Sequence, residues 1–139
     1  VGRLVVRPLP FVALSANVAR YFGDSLRYGF DANYEGPKLT LRAEWIAQSR
    51  DGIVADDDRG WYGLAGFFVT PSVQAVGKYE WFNRPGVAPA QKNRAWTGGL
   101  NLYPFNNTAT RLVLEYISRE IGDPGETKGA LLAQAQVRF

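Results

Sequence analysis

Apolar and polar side chains alternate with a period of two along most of this chain. The clearest stretch is 39–48, where leucine, alanine and tryptophan hold the odd positions and threonine, arginine, glutamate and glutamine are among the even ones. Stretches 26–35, 110–119 and 130–139 repeat the pattern. Successive side chains of a β-strand point to opposite faces, so the alternation predicts strands with one apolar and one polar face.

Clusters of proline, glycine and asparagine separate the alternating stretches. They predict about nine strands, at 1–8, 11–22, 25–35, 38–50, 59–69, 73–83, 93–103, 109–119 and 129–139. Tight turns are predicted at 8–10, 35–37, 70–72 and 104–107. Longer polar loops are predicted at 51–58, 84–92 and 120–128, with 22–25 as a short exception among them. Alternating short and long connections are typical of outer-membrane barrels, whose tight turns face the periplasm.

The predicted fold class is therefore all-β, an antiparallel transmembrane β-barrel. No window approaches the ~20 consecutive apolar residues that a membrane helix needs. A single-chain bacterial barrel has an even number of strands, so about nine strands indicate the C-terminal part of a larger barrel. The absence of methionine and of a signal-peptide pattern agrees with missing N-terminal strands and a missing signal peptide. We therefore expect residues 1–139 to form one partial barrel.

Alternation alone does not distinguish a soluble sheet, whose apolar face meets a core, from a membrane barrel, whose apolar face meets lipid. Aromatic residues near the ends of the predicted strands favour the barrel, because Tyr and Trp form girdles at membrane interfaces. We expect on that face Tyr21, Tyr28, Tyr34, Trp45, Trp61, Tyr62, Tyr79, Trp81, Trp96 and Tyr116. Charges in the middle of the predicted strands, such as Arg42 with Glu44, suit a water-filled lumen or an exposed face.

The composition narrows the chemistry. Cysteine and histidine are both absent, so the sequence predicts no disulfide, no cofactor and no metal centre, and Ser15, Ser49 and Ser118 have no histidine base. An enzyme is therefore not predicted. The net charge of +3 is too small to predict a nucleic-acid partner. The acidic run 56–58 lacks the spacing of a calcium-binding loop, so we interpret it as a solvated loop.

Five short stretches carry a resemblance to a known family. They are Gly36-Pro37 through Leu41-Arg42-Ala43-Glu44-Trp45-Ile46, Gly60-Trp61-Tyr62 through Phe67-Phe68-Val69-Thr70, Gly98-Gly99-Leu100-Asn101-Leu102-Tyr103-Pro104, Arg111-Leu112-Val113-Leu114-Glu115-Tyr116 and Gln136-Val137-Arg138-Phe139. In this order and spacing the chain resembles the C-terminal part of the bacterial phosphate-selective porin O and P family, over essentially its whole length.

The resemblance implies a 16-stranded porin barrel, commonly a homotrimer, that passes small anions by diffusion across the outer membrane of a Gram-negative bacterium. Outer-membrane lipid, lipopolysaccharide and the barrel-assembly machinery would be its partners. In such barrels a terminal aromatic residue, here Phe139, looks like the signal that the assembly machinery reads. Phosphate selectivity in the family depends on a basic ladder and constriction loops that lie largely in the N-terminal half of the barrel, which this chain lacks.

Alternation assigns a set of cations to the face that would line the pore. They are Arg3, Arg7, Arg27, Arg42, Lys78, Arg111 and Arg119, with Arg138 in the last predicted strand. Fixed cations along a wet pore replace part of an anion's hydration, and the planar fork of arginine suits phosphate. The acidic residues among them, Asp31, Glu35, Glu44, Glu80 and Glu115, leave a second interpretation open. In that interpretation arginine and glutamate on neighbouring strands pair with each other and hold the wall in shape.

Three functions stay open from the sequence. The first is an outer-membrane porin for passive diffusion of small anionic and polar solutes, phosphate among them. The second is a porin-like barrel with a structural or interaction role in an outer-membrane assembly. The third is a soluble β-barrel that binds a small ligand.

Overall fold

One antiparallel sheet accounts for nearly all of the chain that the structure describes. The computed structural model describes residues 1–20, 25–50, 53–84, 91–105, 109–122 and 125–137. Nine strands follow one another in the order β1 (Gly2–Leu9), β2 (Val12–Arg20), β3 (Leu26–Glu35), β4 (Leu39–Arg50), β5 (Ile53–Thr70), β6 (Val73–Arg84), β7 (Gln91–Leu102), β8 (Thr110–Gly122) and β9 (Gly125–Val137). Each strand pairs with the next in sequence. In these ranges no helix is long and apolar enough to cross a membrane.

The prediction of an all-β antiparallel fold is confirmed, and all nine predicted strands are present. The sheet is not closed into a barrel. Within the described ranges β1 pairs only with β2, and β9 pairs only with β8, so the sheet has two open edges. The nine-stranded antiparallel sheet is therefore an observation, and the closed transmembrane barrel stays a prediction.

The predicted tight turns after β1, β3 and β5 are confirmed, but the predicted long loops 51–58 and 120–128 are wrong, and the predicted loop 84–92 lies mostly outside the described residues. Arg50 pairs with Ile53 and Gly122 pairs with Gly125, so strands occupy most of the predicted loops 51–58 and 120–128. Conversely, residues 103–109 connect β7 to β8, where a tight turn was predicted. Backbone pairing does not require alternating side chains, which is why the polar stretches were mistaken for loops. Gly122, the last residue of β8, has a φ of 101°, a conformation that residues with a Cβ disfavour and that glycine adopts readily.

The pairing confirms that apolar and polar side chains lie on opposite faces. Residues directly opposite each other on antiparallel strands share a face. Phe30 lies opposite Trp45, which lies opposite Trp61. We call their side of the sheet the apolar face; its exposed members include Leu4, Leu14, Leu41, Phe67, Leu100, Leu114 and Leu131. On the other side, the polar face, one row of paired positions carries Ser15, Asp31, Glu44, Tyr62, Glu80, Ala95, Arg119 and Lys128.

The sheet has almost no interior of its own. Among the described residues the buried apolar side chains are only Ala47, Ala95 and Val113, and no large side chain is fully buried. Burying a leucine or phenylalanine side chain stabilises a fold by ~1.5–3 kcal/mol, and soluble monomers rarely expose apolar patches larger than a few hundred Å². The apolar face therefore needs a cover that the described chain does not supply.

Candidate channel-lining face

The seven predicted cations share the polar face. Arg3 lies opposite Asn17, Arg27 opposite Gln48, and Arg42 opposite Leu64, which lies opposite Lys78. Arg111 lies opposite Gln136, and Arg119 lies opposite Ala95. Arg7 lines the same depression on this face as Arg3. The structure thus brings the predicted site residues to one side of the sheet but spreads them from β1 to β8 rather than into one cluster.

Several of these cations are engaged by neighbouring side chains. Arg42 Nη2 lies 2.8 Å from Glu35 Oε1, and Lys78 Nζ lies 2.9 Å from Glu80 Oε1. Arg111 donates from Nε and Nη2 to Gln136 Oε1, at 3.1 and 2.6 Å. For Arg42 this geometry fits the second interpretation of the sequence, in which charges on neighbouring strands hold the wall, whereas Lys78 and Glu80 lie on the same strand. Exposed pairs of this kind stabilise a fold by only ~0–1 kcal/mol.

Three predicted cations have no such partner. Within the described chain no carboxylate lies within the 4.0 Å ion-pair distance of Arg7, Arg27 or Arg119. Arg27 and Arg119 are exposed, and both line one depression of about 470 Å³ on the polar face. Their guanidinium groups are therefore available to an external anion.

Four polar side chains of β1, β2 and β3 surround the carboxylate of Asp31. The Ser15 hydroxyl donates to the Asp31 carboxylate, as do the amides of Asn17 at 3.4 Å and Asn33 at 3.1 Å. Arg3 Nη2 lies 3.9 Å from the same carboxylate, whose side chain is only 16% exposed. Several donors thus satisfy one largely buried charge, as burial requires. The sequence analysis missed this cluster, because its members meet only in the register of β1, β2 and β3.

Tyr62 was predicted to lie on the apolar face with the other aromatic residues, and this prediction is wrong. It lies opposite Glu44 and Glu80 on the polar face. Lys78 Nζ lies 5.6 Å from the centre of its ring. The physical reason is simple: Trp61 and Tyr62 are consecutive in a strand, so they cannot point to the same face.

Six of the predicted aromatic residues form a row across the apolar face from β3 to β8, in which Trp45 lies opposite Trp61. Ring centres lie 5.6 Å apart for Tyr28 and Trp45, 5.1 Å for Trp61 and Tyr79, and 4.3 Å for Tyr79 and Trp96. Tyr116 on β8 continues the row, which we call the aromatic row. Of the other predicted members, Trp81 lies opposite Trp61, Tyr34 lies opposite Leu41, and Tyr21 lies outside the described residues.

The aromatic row crosses the strands obliquely. Trp45 lies two positions from the partner of Tyr28, Tyr79 lies two positions from the partner of Trp61, and Tyr116 lies two positions from the partner of Trp96. All three steps go the same way, so the row moves six positions along the strands over five strand boundaries. With ~3.3 Å per residue and ~4.8 Å between strands, the row makes an angle of about 40° with the hydrogen-bonding direction.

The apolar face changes character at the aromatic row. On the side of the row toward the C-terminal ends of β4 and β6, the face carries polar and charged residues: Arg59, Asn83, Arg94 and Glu120. Arg94 and Glu120 lie opposite each other, with Arg94 Nη1 3.9 Å from Glu120 Oε2. On the other side of the row the same face carries Leu41, Ala65, Leu100 and Leu114. An apolar band thus ends at a line of aromatic rings, with charged residues beyond it.

Other predicted features fall partly outside the described residues. Arg138 and Phe139, including the predicted assembly signal, lie outside them, as do the side chains of Asp56 and Asp57. Asp58 is paired with Arg84 Nε at 3.3 Å. In the described parts of the chain no three acidic side chains gather as a metal site.

Comparison with known proteins adds no relative. No family model, curated protein or solved structure matches the chain, so the resemblance to phosphate-selective porins stays a prediction.

Proposed function

We propose that this chain is part of the wall of an outer-membrane β-barrel of the porin type, which passes small anionic and polar solutes by diffusion. The observation that carries the proposal is the oblique aromatic row on the apolar face, with charged residues on one side only. Strands of outer-membrane barrels are tilted by ~35–45° and carry aromatic girdles at the level of the lipid headgroups. A row inclined by about 40° to the hydrogen bonds would lie level in such a barrel.

If the sheet belonged to a soluble protein, the arrangement of the aromatic residues in one oblique row would have no physical explanation. An apolar core selects volume and shape, and it does not require tyrosine and tryptophan to lie along one line. A membrane interface does, because amphipathic rings are favoured where one end is apolar and the other is wet. The large exposed apolar face supports the same conclusion, because lipid would cover it.

The polar face supports a weak preference for anions. Its ion pairs, such as Arg42 with Glu35, carry no net charge, whereas Arg7, Arg27 and Arg119 have no acidic partner among the described side chains. Unpaired cations raise the potential in a wet passage and lower the barrier for an anion to enter. Phosphate is one anion to test, and the homotrimer, the lipopolysaccharide contacts and the assembly machinery belong to the same proposal.

Reversal potentials in planar bilayers test this function. The full-length protein that contains this chain would be refolded in detergent and its conductance recorded across a KCl gradient. We expect the unsubstituted protein to prefer chloride over potassium. In the double variant Arg27→Gln/Arg119→Gln, the reversal potential should shift toward the value of a cation-selective channel. The matched control is Glu35→Gln/Arg42→Gln, which removes one ion pair without changing the net charge and should leave the reversal potential unchanged.

Each alternative function predicts a different result. Potassium preference in the unsubstituted protein would refute the anion assignment. A monodisperse product without detergent would refute the membrane assignment and favour a soluble ligand-binding protein. Stable insertion without conductance would favour a structural role in an outer-membrane assembly.

A further inference from the structure

A pocket on the polar face has a different chemistry from the rest of that face. It encloses about 350 Å³ and lies near the turn between β5 and β6. Two aromatic and four amide side chains line it: Phe68, Gln74, Asn101, Tyr103, Gln134 and Gln136. We call it the amide pocket. Its volume lies at the lower end of the ~300–1,000 Å³ typical of small-molecule sites.

The two aromatic rings of the amide pocket are packed against each other. The centres of Phe68 and Tyr103 lie 5.6 Å apart with planes inclined by 34°, and both residues are partly exposed. Phe68 lies opposite Gln74, which places it on the polar face rather than the apolar one. Contact with water does not stabilise the exposed parts of these aromatic rings. The rings do offer a flat apolar surface on which the C–H groups of a ligand can pack.

The amides beside these rings are held in place. Asn101 Nδ2 donates to Gln74 Oε1 at 2.9 Å, and the Tyr103 hydroxyl donates to the same oxygen at 3.4 Å. Gln74 and Asn101 are only 7% and 8% exposed. A Cβ at position 66 would lie 2.8 Å from Gln74 Nε2, so Gly66 leaves the space that this amide occupies. Fixed amides present donors and acceptors together, at little entropic cost on binding.

The charges around the amide pocket balance one another. Arg42 is paired with Glu35 at 2.8 Å. Arg111 donates from Nε and Nη2 to the neutral Gln136 and keeps its positive charge, which the Glu115 carboxylate of the same pocket offsets. Glu115 also lines the pocket, and no described cation lies within ion-pair distance of it. A free carboxylate repels anions but accepts hydrogen bonds from hydroxyl groups.

We infer that the amide pocket is a binding subsite for neutral saccharides. A sugar ring has an apolar C–H face that can pack on Phe68 and Tyr103, and a rim of hydroxyls that both donate and accept, as the four amides do. The inference rests on the proposed channel, because it names a class of solute that would pass along this face. It adds a neutral solute to the anions that Arg27 and Arg119 would attract.

Binding of sucrose to the refolded full chain tests the inference directly. Titration calorimetry would be done in a detergent without a sugar headgroup, with a polyethylene glycol of similar mass as the comparison solute. We expect millimolar binding of sucrose and none of the polyether, which lacks the hydroxyl pattern. Phe68→Ala should raise the Kd at least tenfold. Phe82→Ala, an aromatic residue of the same face outside this pocket, should leave it unchanged.

A second variant, at an exposed position, distinguishes loss of sucrose binding from misfolding of the protein. Gln134 is exposed and makes no described hydrogen bond, so Gln134→Ala should keep the fold and still raise the Kd for sucrose about threefold or more. No sucrose binding by the folded protein would overturn the inference, and so would equal effects of Phe68→Ala and Phe82→Ala.

Conductance separates this inference from the proposed function. On the proposed function, sucrose should reduce the current through the channel with the same half-saturation as its Kd. Conductance without any effect of sucrose overturns the subsite alone. Sucrose binding by a protein that never conducts overturns the channel and leaves the subsite.

Discussion

Single glycines decide how closely the strands of this sheet approach one another. At Gly99 on the polar face, an added Cβ would lie 2.5 Å from the backbone oxygen of Leu114 and 2.7 Å from Glu115 Cγ. Backbone atoms of a paired strand cannot move aside without loss of hydrogen bonds. At Gly98, on the opposite face of the same strand, an added Cβ would meet nothing within 4 Å. Neighbouring glycines thus have different structural roles.

The contrast between these glycines gives a prediction. Gly99→Ala should lower the free energy of unfolding by ~1–3 kcal/mol, the usual cost of forcing an extra methyl group into a packed position. Gly98→Ala is the matched control and should change stability by less than ~1 kcal/mol. Denaturant unfolding of the refolded protein measures both. Equal stabilities of the two variants would show that β7 and β8 are not as close as described.

At the scale of the strands, the alternation predicted which segments pair and which side chains share a face. It did so for Arg27, Arg42 and Lys78, because facing follows directly from the period of two. It failed for Tyr62, where an aromatic identity was given more weight than the alternation. It also failed at 53–58, 120–122 and 125–128, because strands there do not show the alternating pattern that the prediction relied on.

Contacts between strands could not be predicted in the same way. The Glu35–Arg42 pair is diagonal, since Arg42 lies opposite Asn33. The Phe68–Tyr103 pair depends on the registers of β5, β6 and β7 together. Register is set by the whole sheet, so a single strand does not contain this information.

The β8–β9 hairpin gives a prediction at the same scale. Gly122→Ala should strain the backbone, because φ at this position is 101°, and left-handed conformations cost ~1–2 kcal/mol for residues with a Cβ. Amide hydrogen exchange at Ile121 and Glu126, which pair next to the turn, should accelerate ~5–30-fold. Gly77→Ala, where an added Cβ meets nothing within 4 Å, is the control and should leave that exchange unchanged. Unchanged exchange in Gly122→Ala would contradict the positive φ of Gly122.

At the scale of the whole molecule, the two faces require different surroundings. The apolar face needs an apolar cover, and its boundary at the aromatic row requires that the cover also end there. The polar face, with Asp31, Glu44 and Glu80 in one row of paired positions, requires water or a partner rich in polar groups. A bilayer outside and an aqueous lumen inside would satisfy both requirements at once.

The depth of Trp96 in a bilayer tests this arrangement. A variant retaining Trp96, with the other three tryptophans replaced by phenylalanine, would be placed in vesicles of lipids brominated at different depths. On the proposed function, bromines near the headgroups should quench Trp96 most strongly, because the aromatic row would lie at the interface. In a tryptophan-free background, Phe82→Trp on the polar face is the control and should respond to aqueous acrylamide and little to brominated lipid. If Trp96 were quenched most strongly at the bilayer centre, the row would not be an interfacial girdle; if no brominated lipid quenched it, a protein rather than lipid would cover this face.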